Sequence, residues 1–333
     1  MNDLFEQVNN YERHEKVDSI LCYSDNSRDN EKPWISIIMP IYNNPEMFKL
    51  ALESARKQNA DFNYEIVIVD NRPYDGLLDD EEKYVRKIND SRIKYYRNKE
   101  NIGMYGNWNR GIELSRGQYV TFCHNDDLLK DNCLSRLKEL SLKYGKKVVI
   151  SVWDTIDEEG NYIEKLEPNQ RKSVFKQKPD FEYKKFDIFM NGAGFGVGCL
   201  FDRECLITLG GFNPDYYPSA DYALFAKYIF EYGGAFNRIP TFCYRKAVNE
   251  SYKTYMDFIE RDKFFRQCML EKMMLPKKIG NRIINANYNY GRERFSVKWG
   301  GKDHFQKQNV PRTDRVIVTL CNKLNAIRRY SLW

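Results

Sequence analysis

Asp126 and Asp127 stand together just after the β-branched and aromatic run Gln118 to Cys123, with His124 shortly before them. Carboxylate oxygens suit hard divalent ions, so this group is a candidate Mg2+ or Mn2+ site that would offset the charge of a diphosphate. The competing reading is that Asp126 or Asp127 caps a helix starting at Leu128. Asp70 is a further acid of similar placement, closing the run Tyr64-Glu65-Ile66-Val67-Ile68-Val69. The usual glycine cradles for phosphate are missing. No G-x-x-x-x-G-K-[ST] occurs, and Gly192 to Gly198 reads G-x-G-x-G-x-G far from the first strand, which fails the dinucleotide pattern. That run is either a wall near a ligand, where glycine lets backbone come close, or a plain loop between strands.

Such acids need strands that end beside one another. Trp34 to Pro40 is a short apolar run of the kind buried on both faces. Pro45 opens a helical pattern whose inward face is predicted as Met47, Leu50, Ala51 and Ser54. Tyr64 to Asp70 is the next strand, so the three pieces form a βαβ unit with parallel strands. The alternation predicts helices over 80–89, 104–115 and Leu128 to Tyr144, and strands over Ile93 to Tyr96, Gln118 to Cys123 and Lys147 to Trp153. Beyond a turn-rich stretch at 154–180 come a strand at Cys199 to Phe201 and a helix from Asp221 to Tyr232, closed by Gly233-Gly234. Ligands on open α/β sheets gather at the carboxyl ends of strands, where Asp70 and Asp126 both fall. Three regions are expected: a polar, loosely docked extension over 1–33, an α/β domain over 34–245 and a mainly helical region over 246–333.

The chain has 333 residues, 42% hydrophobic and 30% charged, with 24 Tyr and 20 Phe, which is ample for one large or two modest domains. So many rings exclude a disordered chain. The net charge of +6 is mild and lacks the dense basic clusters of a nucleic-acid binder. No run approaches the roughly 20 apolar residues that span a bilayer, and the N-terminus shows no secretory signal. Eight scattered cysteines contain no Cys-x-x-Cys pair and read as reduced, mostly buried thiols. A cytoplasmic protein is expected. Its tail over 312–333 pairs Val316, Ile317, Leu320, Leu324 and Ile327 with Arg315, Lys323, Arg328 and Arg329. Such a helix suits peripheral contact with the inner face of the plasma membrane, and equally internal packing or a dimer contact.

Taken in order, Ile35 to Asn43, Glu65 to Asn71, Asn101-Ile102-Gly103, Asn109-Arg110-Gly111-Ile112 and Gly117 to Phe122 resemble the opening of glycosyltransferase family 2. His124-Asn125-Asp126-Asp127 falls where that family carries its DXD-type motif. The match runs from residue 34 to 130 and more loosely to 245. The resemblance implies a GT-A fold, a Rossmann-like and mostly parallel central sheet flanked by helices. It also implies an inverting enzyme that moves one sugar from a nucleotide-diphosphate donor, with UDP favoured, to a glycan or lipid-linked saccharide. Pro40 and Tyr42 match positions lining the nucleotide pocket, and Asp70 and Asn71 the acidic pair that meets base and ribose. Asp126 matches the carboxylate holding Mn2+ or Mg2+, with Asn125 beside it in the donor site and Asp127 next in line.

Two positions depart from the pattern. His124 replaces the first DXD carboxylate, and an imidazole either bonds a ribose hydroxyl or ligates Mn2+ more readily than Mg2+. Asn71 replaces an acid, and its amide could pair with a pyrimidine edge. The family's base lies at the start of a late helix, which points to Asp221; N-capping alone would also select an acid there. His304 is a candidate late metal ligand or a solvated loop residue. Trp108 is a core ring or a sugar platform. The Gln-x-x-Arg-Trp signature of processive synthases is absent, so single-sugar addition is expected. Two competing classes are a non-catalytic nucleotide-sugar binder, suggested by His124 and Asn71, and a nucleotidyltransferase, which would need a glycine-rich basic loop after the first strand.

Overall fold

The computed structural model describes residues 3–28, 30–165, 176–192, 196–246, 254–299, 310–327 and 330–331. In chain order the strands are β1 (Ser19–Ser24), β2 (Ile35–Ile41), β3 (Tyr64–Asp70), β4 (Ile93–Asn98), β5 (Tyr119–Phe122), β6 (Leu128–Leu129) and β7 (Val148–Ile156). They continue as β8 (Tyr162–Glu164), β9 (Lys176–Gln177), β10 (Asp180–Tyr183), β11 (Phe201–Asp202), β12 (Gly234–Arg245) and β13 (Tyr330–Ser331). The helices are α1 (Pro45–Arg56), α2 (Asp80–Ile88), α3 (Gly103–Leu114), α4 (Cys133–Tyr144), α5 (Lys185–Asn191), α6 (Arg203–Thr208), α7 (Ala220–Tyr232), α8 (Tyr255–Glu271), α9 (Lys277–Trp299) and α10 (Arg312–Ile327).

The main sheet runs β1-β4-β3-β2-β5-β11. Its four inner strands are parallel and its two edges antiparallel. A second sheet, β10-β12-β7-β8, carries β6 on β12. Period-two alternation along β2 sorts the layers. Ile35, Ile37, Met39 and Ile41 meet Phe48 and Leu52 of α1 together with Leu134 and Leu137 of α4. Ile38 joins the opposite core, with Trp108 and Ile112 of α3 and Leu224, Phe225 and Tyr228 of α7. There α3 lies so close that a Cβ at Gly111 would sit 2.3 Å from Ile38 Cγ2. This is the α/β sheet with flanking helices that the strand and helix pattern predicts, with a helical C-terminal region beyond it.

Three expectations are corrected. Residues 3–28 are not a loose extension. β1 pairs with β4 at the sheet edge, Leu4 and Tyr11 are buried in the core, and Arg110 of α3 donates to the carbonyls of His14 and Val17. The inward face of α1 is Phe48, Ala51, Leu52 and Ala55, while Leu50 is exposed, because the helix presents its one ring to the sheet. Leu128 and Leu129 form a strand, not a helix, because β12 supplies an edge there; α4 starts only at Cys133. That removes the capping role for Asp126 and Asp127. In α10 the described side chains pack Val318 and Cys321 inward and bury Asp314 between Arg282 and Asn289 of α9.

β10 is fastened to α4 through Asp180, which is buried and accepts from Arg136 at 2.9 Å, Tyr144 at 2.6 Å and Lys143. Burial alone would raise this carboxyl, but these donors outweigh it and hold it below the ordinary value. The contribution is therefore complete above the usual carboxylate range and is lost as pH falls through the depressed folded-state pKa. Asp180→Asn should cost about 2 kcal/mol in a urea melt at pH 7, since the buried Arg136 is left with only the exposed Glu139 as counter-charge. The gap between variant and parent should narrow as the melt is repeated at progressively lower pH.

Candidate functional site

β5 lies between β2 and the edge strand β11, and after it the chain turns at once, with the Asp127 N–H donating to the His124 carbonyl at 3.3 Å. Neighbours fix that turn. Cys123 N–H reaches the Ile38 carbonyl at 2.9 Å, and Asn125 Nδ2 reaches the Asn43 carbonyl at 2.7 Å, so the ends of β5 and β2 are tied together. Arg245, at the end of β12 and 1% exposed, donates Nε to the Asp126 carbonyl at 2.8 Å, and its own N–H goes to Asp127 Oδ1 at 2.9 Å.

The turn brings His124, Asp126 and Asp127 together, with one ligand atom from each within 4.8 Å of the others. Their environments differ. Asp127 is buried, and desolvation plus the Asp126 charge push its carboxyl up while Arg245 opposes them. His124 lies stacked on Trp108 with ring centroids 4.7 Å apart. Burial lowers its pKa and favours the neutral imidazole, its Nδ1 is 3.9 Å from Asp127 Oδ2, and its Nε2 is buried without a hydrogen-bond partner. Among the described residues nothing hydrogen-bonds or ion-pairs the half-buried Asp126 carboxylate. An unpartnered nitrogen and an unpartnered carboxylate fit a divalent cation that accepts both N and O donors, as Mn2+ does.

The other expected residues fall as follows. Pro40 lies near the end of β2. Alternation points its missing N–H towards β5, beyond the last pairing of that ladder at Ile38, so no bond is lost. Tyr42 follows with an exposed ring. Asp70 is 0% exposed. Its carboxylate accepts from the Arg72 main-chain N–H, Nε and Nη2, the shortest at 2.6 Å, and from Tyr95 at 2.8 Å, while Arg72 also faces Asp79 and Glu81. Asn71 donates to Asn101 Oδ1 and the Gly103 carbonyl, and accepts from Asn98 Nδ2 and the Ile102 N–H. The expected contacts of Asp70 and Asn71 with a base and ribose would have to be made beside these internal bonds. Both side chains are engaged within the protein, and they shape the loop before α3.

Asp221 is the second residue of α7, where the helix dipole favours negative charge. Ser219, the residue at the cap, makes no side-chain capping bond. Tyr105 of α3 holds this start, donating to the Pro218 carbonyl at 2.8 Å and accepting from Ala220 N–H at 3.3 Å. Burial raises the Tyr105 pKa, and the nearby Asp221 charge adds to it. Tyr105 packs edge-on against Trp108, which carries His124 on its other side. Trp108 is therefore core and floor of the acidic turn at once. Gly196 to Gly198 run beside Phe122, with Gly198 N–H on its carbonyl at 3.1 Å; residues 193–195 and His304 lie outside the described residues.

Arg245 and Tyr105 are the residues sequence reading missed. The acceptors of Arg245 are backbone carbonyls of residues distant in the chain, so no local spacing marks it. Its one trace is a charge ending the apolar run Phe242-Cys243-Tyr244.

The Glycosyl transferase family 2 model matches residues 36–206. A GalNAc(5)-diNAcBac-PP-undecaprenol beta-1,3-glucosyltransferase of Campylobacter jejuni is 30% identical over 190 residues, 56% of this chain and 56% of the relative. An uncharacterized glycosyltransferase of Methanocaldococcus jannaschii is 28% identical over 162 residues, 46% of this chain and 53% of the relative. The chain spans about half the length of these curated relatives. In fold it resembles S. aureus TarS 1-349 in complex with UDP-GlcNAc, with TM-score 0.58, 16% identity and 89% of each chain covered. It also resembles the mannosyltransferase PcManGT from Pyrobaculum calidifontis in complex with GDP-Man and Mn2+, with TM-score 0.54, 15% identity, and 95% and 90% covered.

Asn71→Asp, which restores the acid expected at this position, would set a carboxylate against the oxygens of Asn101 and Gly103. Losing two donated bonds at a buried site should cost about 2–4 kcal/mol in a denaturant melt. Nucleotide affinity should not rise, as calorimetry would show.

Proposed function

The chain belongs to glycosyltransferase family 2, and from that premise we propose that it moves a single sugar from a nucleotide-diphosphate donor to a hydroxyl of a glycan or lipid-linked saccharide, with inversion. The observation that carries this reading is the unpartnered Asp126 carboxylate at the carboxyl end of β5, grouped with His124 and Asp127 on a turn that the protein holds from below. Complexes of the fold relatives with UDP-GlcNAc and with GDP-Man support a nucleotide-sugar donor, and UDP is the donor nucleotide proposed here.

In this reading Asp126 and the imidazole of His124 hold a divalent cation, preferably Mn2+, with Asp127 as a further and largely buried contributor. When bound, the cation supplies positive charge opposite the diphosphate. Tyr42 and Asn125 border the nucleotide. Asp221 accepts the proton of the acceptor hydroxyl as that oxygen bonds to the anomeric carbon and the bond to the diphosphate oxygen breaks. Attack from the face opposite the leaving group inverts the centre, and the oxocarbenium character of the transition state lets proton transfer follow bond cleavage. Asp221 lies in the first turn of α7, where the helix dipole favours negative charge.

Val316 and Leu320 lie four residues apart on α10 and are 49% and 54% exposed beside Arg312. This face is proposed as a peripheral contact with an anionic lipid surface. Flotation with anionic liposomes should be weakened by Val316→Ser with Leu320→Ser; unchanged flotation would remove the proposal.

Two substitutions test the chemistry. Asp126→Ala should abolish the gain in UDP affinity that Mn2+ provides, measured by calorimetry with and without the ion. Asp221→Asn should keep that gain while kcat falls about 10²–10⁴-fold. A chain that binds UDP with Mn2+ but turns over no sugar donor, in parent and variant alike, would be a binder and not an enzyme.

A further inference from the structure

Arg245 is among the largest fully buried side chains of the described protein, and its bonds join two elements distant in the chain. Nε holds the Asp126 carbonyl at 2.8 Å. Nη1 holds the carbonyls of Asp157 and Glu158 at 2.9 and 2.7 Å, at the turn of the β7–β8 hairpin. The main-chain N–H of the same residue binds Asp127 Oδ1 at 2.9 Å. The hairpin turn is itself ordered: Asp157 accepts from the Asn161 N–H at 2.7 Å through Oδ1 and from Asn161 Nδ2 at 3.2 Å through Oδ2. Gly160 completes it at φ +91° with its Cα side facing Nη1.

A guanidinium cannot shed its charge, so burying one is tolerated only where acceptors and a counter-charge surround it. The acceptors here are three carbonyls, whose positions the rigid planar fork fixes; the Asp127 carboxyl lies close by but takes the main-chain N–H and not the fork. Three of the four contacts bear on main chain, so the fork sets where the turn 124–127 lies and hence where the Asp126 carboxylate points. A hydrophobic core of equal volume would leave that turn free to relax towards the protein, since nothing else described bonds the Asp126 carbonyl.

We infer that Arg245 is a positioning residue for the cation site, holding the Asp126 turn at a height set by the β7–β8 hairpin, so that disturbing the hairpin weakens cation binding without touching a ligand. This rests on Asp126 being a cation ligand. Groups that support ligands from behind typically change metal affinity about 10–100-fold when altered.

The test is calorimetry of UDP with and without Mn2+, read as the ratio of the two affinities, beside a thermal melt of each protein. The parent should show a gain that Asp126→Ala removes. Arg245→Lys keeps the charge but not the fork and should cut the gain about tenfold, and Arg245→Met should cut it further. Asp157→Ala, which loosens the hairpin turn only, should lower the gain in the same direction and decides the matter if the Arg245 variants do not fold. Folded Arg245→Lys and Asp157→Ala with the parental gain would overturn the inference, even if their melting temperatures fall. If the parent shows no gain, or Asp126→Ala retains it, the cation-site reading itself fails and the inference falls with it.

Discussion

A buried guanidinium beneath an acidic turn is the interaction on which this site depends. Taking an ion from water costs several kcal/mol unless geometry and partners compensate. Arg245 meets that condition with three carbonyls on its guanidinium, while its main-chain N–H takes the Asp127 carboxyl. The same arrangement separates the functions of two adjacent acids. Asp127 faces inward and partners the arginine, and Asp126 is left with its main chain held and its carboxylate unpaired. Two neighbouring carboxylates in one apolar setting would repel; here burial and the Asp126 charge push the Asp127 carboxyl up, and Asp126 is left available for a cation of the solvent.

The second constraint is α3, whose residues from Tyr105 to Ile112 are all buried. A helix buried all round must satisfy its polar side chains internally. Asn107 reaches the Val69 carbonyl at the end of β3, and Asn109 pairs with both backbone groups of Phe212 ahead of α7. Arg110 takes carbonyls of the N-terminal segment. With Tyr105 on the start of α7 and Trp108 under His124, one helix references the donor side, the candidate base and the chain's first residues to a common frame. This is why residues of the N-terminal segment belong to the fold although they sit apart from the family match.

What could be read from the sequence follows from range. Ile35 to Ile41 and Tyr64 to Asp70 declare themselves as inner strands because burial on both faces demands unbroken apolar runs. Asp126 was legible because it closes such a run. Leu128 and Leu129 misread as helix because their strand exists only by pairing with β12, more than a hundred residues on. β1 was missed for the same reason: Ser19 to Ser24 is half-exposed, short and meaningful only against β4. Asp70 and Asn71 carry motif-like types, and their internal bonds to Arg72, Tyr95, Asn98 and Asn101 are long-range or loop contacts that motif spacing does not record.

The most direct test is a crystal grown with UDP and Mn2+ and measured at the manganese absorption edge. An anomalous peak at coordination distance from an Asp126 carboxylate oxygen, with the His124 ring turned to it over Trp108, is the predicted result. A peak elsewhere, or nucleotide bound with Asp126 facing protein, would contradict the account.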